Sequence, residues 1–529
     1  MALALACNPS SSETETDISL TSPSDGSTTL ECAVGSLNCA CTGGGACDPG
    51  LTCVADICVD LGGTTSGMAT TTSTSDDTTS GEEPTTSGTT EDPSAGRECD
   101  PEMAVLNPSC PEEAPYCSNA GVCGDCSVLV ACGEVDPATP VCDANGACVQ
   151  CNAVEDGACA DATPICDLAS KSCVGCSQHS ECPDSACDIA SGVCLPADRV
   201  VELLPDVPEG GKCTDKVDGG KPYCSFEQVT AHFAKYGLGG GWTVRLLKGP
   251  VTHGALTIQG NDQPATIALL GYEDNGTLPD VMSLNPTIRV IAGAGKLTAY
   301  LDSLDVVNTA NVNDNANVEC QSATLYVTRS RIRGGAGAGV RSNNCNLVVR
   351  DSTVSKNQSE GIEAVAGTLM LRNAMVTENG GHATYGGGGV SVSNIPSMDI
   401  AYSTIVNNTN TGGKGDSIDC LLSSGSARNS LIAQKAAGNP SVQCKSMQLS
   451  NSIVDGGEFM GSMNVTKTAA EILALLQAEV TTGIYRWKAA AKDKPARWQS
   501  GDPRFDFEGH SRPATVDAPD YAGADVFPE

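Results

Sequence analysis

The chain has 529 residues, of which 40% are hydrophobic and only 4% aromatic, with 58 glycines, 29 cysteines and a formal net charge of −34. This length exceeds what one hydrophobic core usually serves, so several domains are expected. The cysteine content is typical of an oxidising, extracytoplasmic compartment and argues against a cytosolic enzyme. The 64 acidic residues against 30 basic ones would repel phosphate, which argues against a nucleic acid partner.

The negative charge is concentrated in the first part of the chain. Residues 1–195 contain 30 of the acidic residues but only two basic ones, Arg97 and Lys171. A segment of one charge sign with few aromatic residues is typical of a solvated stalk, so we interpret this part as a stalk rather than as a binding face. No run of 18 apolar residues occurs anywhere in the sequence, so we expect no transmembrane helix.

The first residues resemble the end of a bacterial lipoprotein signal, in which small residues precede a lipidated cysteine, here Cys7. The match is incomplete, because no basic region precedes it and Ala4 stands where leucine is usual. Residues 1–30 are therefore predicted to be a signal remnant and a disordered tether. The resemblance implies a lipid anchor at Cys7 and a location at the bacterial cell surface or outer membrane; the alternative is a secreted protein.

Two further segments complete the first hundred residues. Residues 31–60 carry six cysteines and almost no other core-forming residues, which predicts a small module held together by disulfides. Residues 61–98 consist mainly of Thr, Ser, Gly, Glu, Asp and Pro, a composition that predicts a disordered linker.

Residues 99–195 contain four cysteine-rich repeats of about 25 residues, each with four cysteines, beginning at Cys99, Cys126, Cys151 and Cys176. Adjacent repeats meet at C-x-x-C pairs, a spacing that could also hold zinc. The even number of cysteines and the scarcity of histidine favour disulfides instead. Four cysteines allow three connectivities, and the spacing does not choose among them.

From about residue 250, short β-branched segments alternate with Gly and Asn, and one pattern recurs. The copies begin 22, 22, 29, 27 and 22 residues apart, at Leu325, Leu347, Leu369, Met398, Gly425 and Met447. Such a period predicts coils of short strands and turns that bury their inner faces only by stacking on one another. Asn357, Asn379 and Asn408 occupy equivalent turn positions, which predicts a stack of asparagines along the axis.

The remaining cysteines agree with this register. They form three close pairs, and the second and third would join successive coils: Cys213 with Cys224, Cys320 with Cys345, and Cys420 with Cys444. Without Cys7, 28 cysteines remain, an even number that complete pairing requires.

Residues 210–529 resemble the right-handed parallel β-helix proteins of the pectate-lyase-like superfamily. The resemblance rests on an amphipathic capping helix from Cys224 to Tyr236 with Ser225 as N-cap, on the 22-residue coils, and on a closing segment from Asp506 to Asp525. It implies an all-β fold, a parallel β-helix preceded by small disulfide-rich modules and a disordered linker. It implies less about chemistry, because one fold hosts many functions.

Members of this superfamily that are lyases use Ca²⁺ held by carboxylates and an arginine or lysine as base. The candidate binding residues here are Arg350, Arg372 and Arg428, which share one register, so Arg350 and Arg372 would stack on successive coils. Such a column of like charge could meet carboxylates or sulfates of a polysaccharide. The alternative is that Arg350 and Arg372 lie on an outward face without a ligand, where Asp351 or Glu378 compensates their charges.

The catalytic residues remain unknown from the sequence. The candidate carboxylates do not share a register, as lyase or hydrolase chemistry would require: Asp351, Glu360, Glu363, Asp399, Asp416 and Asp419. The histidines are scattered singly, so neither a metal site nor a cofactor is expected. Ca²⁺ is expected only if the protein is an enzyme of this superfamily type.

Two functional hypotheses follow. The first is a surface-anchored, non-catalytic binding or structural protein that presents a β-helix to polysaccharide or cell-surface glycan. The second is a polysaccharide lyase or glycoside hydrolase that acts on an anionic polysaccharide from the same stalk.

Overall fold

The computed structural model describes residues 52–54, 57–59, 110, 116–117, 122–126, 132–153, 159–160, 163–204, 213–214, 222–247, 254–272, 278–283, 287–308, 315–381, 387–435, 439–479, 481–488 and 494–527. The tether at residues 1–30, the linker at residues 61–98 and Cys7 lie outside them. No helix in the described part of the chain is long and apolar enough to cross a membrane.

The cysteine-rich repeats are small antiparallel hairpins cross-linked by disulfides. The second, third and fourth repeats all join their first cysteine to the third and the second to the fourth: Cys126–Cys142, Cys132–Cys148, Cys151–Cys166, Cys159–Cys173, Cys176–Cys187 and Cys182–Cys194. The first repeat has the matching second-to-fourth bond, Cys110–Cys123. The structure thereby selects one of the three connectivities that the sequence allowed.

The hairpin strands of this region are short. They are Tyr116–Cys117 with Cys123–Gly124, Val141–Cys142 with Cys148–Val149, Ile165–Asp167 with Ser172–Val174, and Cys187–Asp188 with Val193–Cys194. A further hairpin, Thr52–Val54 with Ile57–Val59, lies in the module of residues 31–60. A four-residue helix, Cys132–Val135, and a 3₁₀ turn, His179–Glu181, complete the region.

Most of the rest of the described chain forms a parallel β-helix, so the predicted fold is confirmed. Each coil contributes one strand to each of three parallel sheets, which we name A, B and C in the order in which the chain visits them. Three long strands bend from sheet A into sheet B: Val340–Arg350, Ile362–Arg372 and Val442–Ser450.

The remaining strands each belong to one sheet. Sheet A contains Leu256–Gln259, Ile288–Ile291, Val318–Gln321, Val390–Ser393, Ile418–Leu421 and Gly457–Met460. Sheet B contains Val200–Leu203, Trp242–Leu246, Ala265–Leu270, Leu297–Asp302, Thr324–Thr328, Ser397–Ala401 and Gly425–Arg428. Sheet C contains Asp280–Ser283, Asp305–Asn308, Arg331–Arg333, Thr353–Ser355, Met375–Thr377, Thr404–Asn408, Leu431–Gln434, Ile453–Val454 and Val465–Thr466.

Alternation along each strand builds one continuous core. In sheet B, Leu347 and Val349 are fully buried between the coils, whereas Asn346 and Arg350 on the same strand point to solvent. The coils stack in register, so Leu325, Leu347 and Leu369 are paired along the axis. Two disulfides, Cys320–Cys345 and Cys420–Cys444, join successive coils.

Single residues in the left-handed conformation turn the chain from one sheet to the next. The corner between sheets B and C uses Ser303, Arg329, Asp351, Asn373, Tyr402, Asn429 and Asn451, all with φ between 48° and 59°. Asparagine and aspartate tolerate this conformation better than other non-glycine residues, which explains their frequency at the corner. The buried serines that follow the corners bond along the axis; for example, Ser352 Oγ accepts from the Ser330 amide at 3.0 Å.

The predicted asparagine stack lies at the end of sheet C. The side chain of Asn379 donates to Asn408 Oδ1 at 3.1 Å, and Asn357 donates to Asn379 Oδ1 at 2.9 Å. A side chain at Gly361 would place its Cβ 2.6 Å from Asn379 Nδ2, so glycine there makes room for the stack. The stack satisfies backbone groups that the turns bury.

In one coil the asparagine and the glycine occupy each other's positions. Gly335 stands in the asparagine position, and Asn317 stands where other coils have the neighbouring glycine. The Asn317 side chain fills the space and donates to Asn357 Oδ1 at 3.2 Å. The stack therefore extends across a coil whose own turn contributes no asparagine.

Two segments cover the ends and sides of the β-helix. The helix Phe226–Tyr236 begins at Ser225 in a capping box with Gln228 and buries Phe226, Val229 and Phe233 in the core, as predicted. A disulfide, Cys213–Cys224, precedes it. The β-helix was expected to begin at about residue 210, but its first strand, Val200–Leu203, lies before that residue. This strand pairs with Trp242–Leu246 and is not part of the 22-residue repeat, so the repeat did not reveal it.

The C-terminal segment packs against the outer face of sheet C. It contains the helix Ala469–Leu475 and the paired strands Leu476–Glu479 with Ile484–Trp487 and Ala496–Arg497 with Pro519–Asp520. Its apolar side chains bury those that sheet C points outward: Val406, Leu431, Ala433 and Ile453. This packing removes one of the three outer faces from solvent.

We predict that Asn379→Ala destabilises the β-helix by about 2–4 kcal/mol, because it leaves the buried amide groups of Asn357 without their acceptor. The measurement is the midpoint of thermal unfolding by calorimetry. Asn346→Ala is the matched control, since Asn346 is exposed and its side chain accepts from Thr368 Oγ1 at the surface, and it should change stability by less than about 0.5 kcal/mol. Equal losses in the two variants would contradict the role of the stack.

Candidate functional site

The three candidate arginines lie on the outer face of sheet B in the predicted register. Arg350 pairs with Arg372 in the ladder, Ala401 follows Arg372, and Arg428 follows Ala401. Two guanidinium groups are therefore adjacent, and one neutral coil separates them from the third. The surroundings of the three arginines differ.

Arg372 and Arg428 are held by carboxylates. Arg372 is 7% exposed and forms a salt bridge with Asp399, which Arg428 also contacts at 3.5 Å. Arg428 forms a second salt bridge with Asp502, a residue of the C-terminal segment. The partners are thus Asp399 and Asp502 rather than the two carboxylates that the sequence suggested.

Electrostatics in this cluster follow from burial and pairing. Burial alone would raise the pKa of Asp399, but hydrogen bonding and charge from Arg372, with Arg428, hold that pKa below its usual range. Burial raises the pKa of Asp502, and the charge of Arg428 opposes the shift. The charges of Arg372 and Arg428 are therefore largely neutralised by carboxylates of the protein itself.

The two carboxylates suggested as compensators make other polar contacts, although the charge of Arg350 also acts on Asp351 and opposes the rise in its pKa. Asp351, at the corner between sheets B and C, accepts from Asn373 Nδ2 at 2.9 Å, and burial raises its pKa. Glu378 accepts from the Tyr485 hydroxyl at 2.7 Å. Both carboxylates thus help to fasten the corner and the C-terminal segment.

Arg350 is exposed, and within the part of the chain that the structure describes no carboxylate lies within ion-pair distance of its guanidinium. Its diagonal neighbour on the sheet is Tyr326, which is half-buried and stacks on Tyr300 with ring centroids 4.7 Å apart. Burial raises the pKa of Tyr326, and the charge of Arg350 opposes that shift. Arg350 is thus a cation whose charge faces solvent.

Arg350 belongs to an open strip of sheet B, which we define by the outward residues of three successive coils. Its central row is apolar and half-buried: Tyr326, Val348 and Met370. A polar row runs along one side: Thr324, Asn346 and Thr368. Thr328 and Arg350 lie on the other side.

The fourth cysteine-rich repeat covers the coils before this strip. The Tyr300 hydroxyl donates to Asp188 at 2.8 Å and accepts from the Ala190 amide at 3.1 Å. Arg245 of sheet B donates to the carbonyl of Pro183 at 2.6 Å. The repeat is thus fastened to the β-helix by polar bonds as well as by apolar packing.

The C-terminal segment covers the corner beyond the strip. The side chain of Arg512 is fully buried, pairs with Asp520 at 3.1 Å and lies 4.0 Å from the ring centroid of Tyr402. Asn373 donates to the carbonyl of Phe505 at 2.7 Å. The open strip is a part of sheet B that these two covers leave exposed.

The candidate carboxylates do not converge. Glu363 pairs with Arg341 at 2.7 Å on sheet A, and Asp419 lies 3.7 Å from Lys414 on the same sheet. Glu360 is bonded to Ser359, and burial raises its pKa. Asp416 accepts from the Asn410 amide at 2.7 Å inside a turn. Each carboxylate therefore serves a local contact in a different place.

Residues that could hold a metal fall into two kinds. The cysteines that cluster in the repeats are joined in disulfides, which removes the thiolates that zinc requires. In the C-terminal segment, Asp506, His510 and Asp525 bring possible ligand atoms within 4.8 Å of one another. Sequence reasoning missed this group, because Asp525 follows His510 by fifteen residues in a stretch without periodicity.

Comparison with known proteins gives few matches. Residues 85–200 match a family of unknown function (DUF8331). No curated protein sequence matches the chain. Among solved structures, pectate lyase Pel9A has a TM-score of 0.32 and 11% identity over 60% of this chain and 97% of its own. A rhamnogalacturonan lyase has a TM-score of 0.24 and 10% identity over 50% of this chain and 87% of its own.

We predict that Asp399→Asn destabilises the β-helix at neutral pH by about 1–3 kcal/mol, because it leaves the buried guanidinium of Arg372 without its counter-charge. Since the pKa of Asp399 is lowered by folding, its contribution is present above the unfolded pKa and is lost as the pH falls through the folded pKa. The difference between variant and parent should therefore shrink below about pH 4.

Calorimetric unfolding of both proteins between pH 3 and pH 8 measures this difference. Glu363→Gln is the control, because its partially exposed pair with Arg341 should contribute less than about 1 kcal/mol. A loss from Asp399→Asn that is no larger than the control, or that does not depend on pH, would contradict the assignment.

Proposed function

We propose that the protein is a non-catalytic polysaccharide-binding protein that holds an anionic glycan along the open strip of sheet B. The observation that carries the proposal is Arg350, an exposed guanidinium without an ion-pair partner among the described residues, beside an apolar row. Unpaired arginines of this kind are suited to carboxylates and sulfates, because the planar fork donates two parallel hydrogen bonds.

The side chains around Arg350 match the other parts of a sugar. The apolar row of Tyr326, Val348 and Met370 can pack against the C–H faces of pyranose rings. The polar row offers hydroxyl and amide groups, of which Thr368 Oγ1 already donates to Asn346 Oδ1 at 3.0 Å. An apolar centre with flanking polar groups is the usual composition of a ligand site.

The rows run along the axis of the β-helix, because equivalent residues of successive coils stack about 4.7–4.9 Å apart. A polymer laid along the axis would contact several coils at once, and its affinity would gain from these linked contacts. A rigid solenoid therefore favours a long glycan over a free monosaccharide.

The structural contacts of the candidate carboxylates support binding without catalysis. Polysaccharide hydrolysis requires two carboxyl groups that flank one bond, whereas Asp399, Glu363 and Asp416 are each committed to different structural contacts. The enzyme hypothesis has no comparable assembly of residues to support it among the described residues.

The disulfides fit an extracytoplasmic location. We further propose display at the bacterial surface through a lipid on Cys7. In this arrangement residues 1–30 are the tether, residues 61–98 the linker and the first three cysteine-rich repeats a cross-linked stalk that lifts the β-helix away from the membrane, while the fourth repeat packs on the β-helix. The negative charge of this stalk would keep it extended and away from acidic surfaces.

We predict that Arg350→Ala weakens binding of the full chain to a polyuronate or a sulfated polysaccharide by about 10–100-fold, the effect of losing a charge-assisted hydrogen-bonded pair. Isothermal titration at two salt concentrations measures it, and added salt should weaken binding by the parent protein. Arg350→Lys should retain part of the affinity, because lysine keeps the charge without the fork.

Arg289→Ala is the matched control, since this arginine is also exposed but lies on sheet A and pairs with Glu319 at 2.8 Å. It should bind as the parent does. Unsaturated products and reducing ends are recorded in the same samples with and without Ca²⁺. Product formation that Arg350→Ala abolishes would overturn the non-catalytic reading, and equal affinity in all variants would overturn the location of the site.

We predict that Cys7→Ala moves the protein from the membrane to the soluble fraction of a bacterial host that processes lipoproteins, because the variant has no thiol to acylate. Fractionation and mass spectrometry of the N-terminal peptide measure this. Cys7→Ala protein that remains in the membrane fraction would refute the lipid anchor.

A further inference from the structure

The C-terminal segment contains a compact group of potential metal ligands at some distance in sequence from the sheet B strip. Asp506 and Asp525 are each 3% exposed, and the side chain of His510 is 41% exposed. Oxygen or nitrogen atoms of the three side chains lie within 4.8 Å of one another. The group is therefore buried on the side of the carboxylates and open on the side of the imidazole.

Backbone hydrogen bonds fix Asp506 at the centre of this group. Its Oδ1 accepts from the amides of Glu508 and His510 at 2.9 and 2.7 Å, and its Oδ2 accepts from the Val526 amide at 3.0 Å. Because each carboxylate oxygen has two lone pairs, Oδ2 keeps one for a further partner. The Nδ1 atom of His510 faces that position at 3.1 Å.

Asp525 approaches from the other side. Its Oδ2 accepts from the Trp487 amide at 2.8 Å, a bond that orients the carboxyl group and leaves further lone pairs of Asp525 for another partner. The closing sequence and the turn at residues 506–510 therefore present an imidazole nitrogen and two carboxylates toward one point.

The charges of this group are poorly balanced without a cation. Asp506 and Asp525 are both buried, and Arg486 is a neighbouring cation. Glu508 is itself paired with Arg486 at 2.5 Å, so that arginine is shared. Two buried carboxylates that face each other are expected to favour binding of a positive ion between them.

We infer that Asp506, His510 and Asp525 form a site for a divalent transition-metal ion of the zinc type. One nitrogen and two carboxylate ligands, with a fourth position open to solvent beside His510, form a donor set that suits Zn²⁺. Ca²⁺ takes six to eight oxygen ligands and gains little from imidazole, so it is disfavoured here.

The ion would have a structural consequence. Asp525 lies near the end of the segment that covers sheet C, and Asp506 and His510 lie in the turn that precedes the buried Arg512. A shared metal would tie these two parts of the segment together and so stabilise the cover over the β-helix. The site is separate from the proposed glycan strip and does not depend on it.

The test uses the full chain after treatment with a chelator and removal of the chelator. Titration with ZnCl₂ should show one binding event by calorimetry that raises the midpoint of thermal unfolding, because the ion binds the folded state. His510→Ala and Asp525→Asn should each weaken this binding by at least about tenfold. Asp525→Asn keeps an acceptor for the Trp487 amide, so that variant is expected to fold.

His382→Ala is the control for histidine-dependent binding elsewhere, and CaCl₂ replaces ZnCl₂ as the control for non-specific cation binding. The inference holds if zinc binding is lost with His510 or Asp525 and retained in His382→Ala. It is overturned if zinc does not bind the chelator-treated chain, if binding survives His510→Ala, or if Ca²⁺ produces the same shift. In those cases the contact between His510 and Asp506 is a hydrogen bond alone.

Discussion

The structure depends on one constraint, namely that polar groups buried at the corners of each coil must be bonded by the coil above or below. Asparagines bond along the axis at the end of sheet C, as Asn357, Asn379 and Asn408 do, and serines such as Ser352 do the same after the corner between sheets B and C. An unbonded buried group would cost a large fraction of the net stability of a domain. The coils can therefore stack only in the register that completes these bonds.

That register also decides which residues are free for function. Since alternate residues of every strand point inward, the outward residues of successive coils form straight rows along the axis. Sheet C loses its outer rows to the C-terminal segment, and sheet B loses part of its rows to the fourth cysteine-rich repeat and to the residues around Asp502. The part of sheet B that stays exposed includes a strip with Arg350 beside the apolar row of Val348 and Met370.

The arginine register illustrates how structural and binding roles separate within one row. Asp399 contacts both Arg372 and Arg428, so one carboxylate offsets the charges of two arginines of this row. Because Arg372 and Arg428 both pair with Asp399, Arg350 is the one of the three arginines that presents an exposed charge without an ion-pair partner among the described residues. A sugar carboxylate or sulfate at Arg350 would extend the same pattern of alternating charge by one position.

Local periodicity in the sequence is enough to predict several elements of the fold. The 22-residue spacing and inward alternation specified the stacked coils, equivalent turn positions specified the asparagine stack, and close spacing paired Cys213 with Cys224, Cys320 with Cys345 and Cys420 with Cys444. The capping helix followed from Ser225 and its amphipathic pattern. Each of these features repeats or lies within a few residues, so sequence distance is a fair guide to spatial distance.

Contacts between segments that no sequence period relates become visible only in the folded chain. The connectivity of the cysteine-rich repeats, the pairing of Arg428 with Asp502, and the meeting of Asp506 with Asp525 all depend on how the chain returns across a surface. The packing of the C-terminal segment along sheet C, rather than against the end of the coils, follows from the apolar outward residues Val406, Leu431 and Ile453. Burial of such a surface is non-directional, so spacing in the sequence does not encode which segment will cover it.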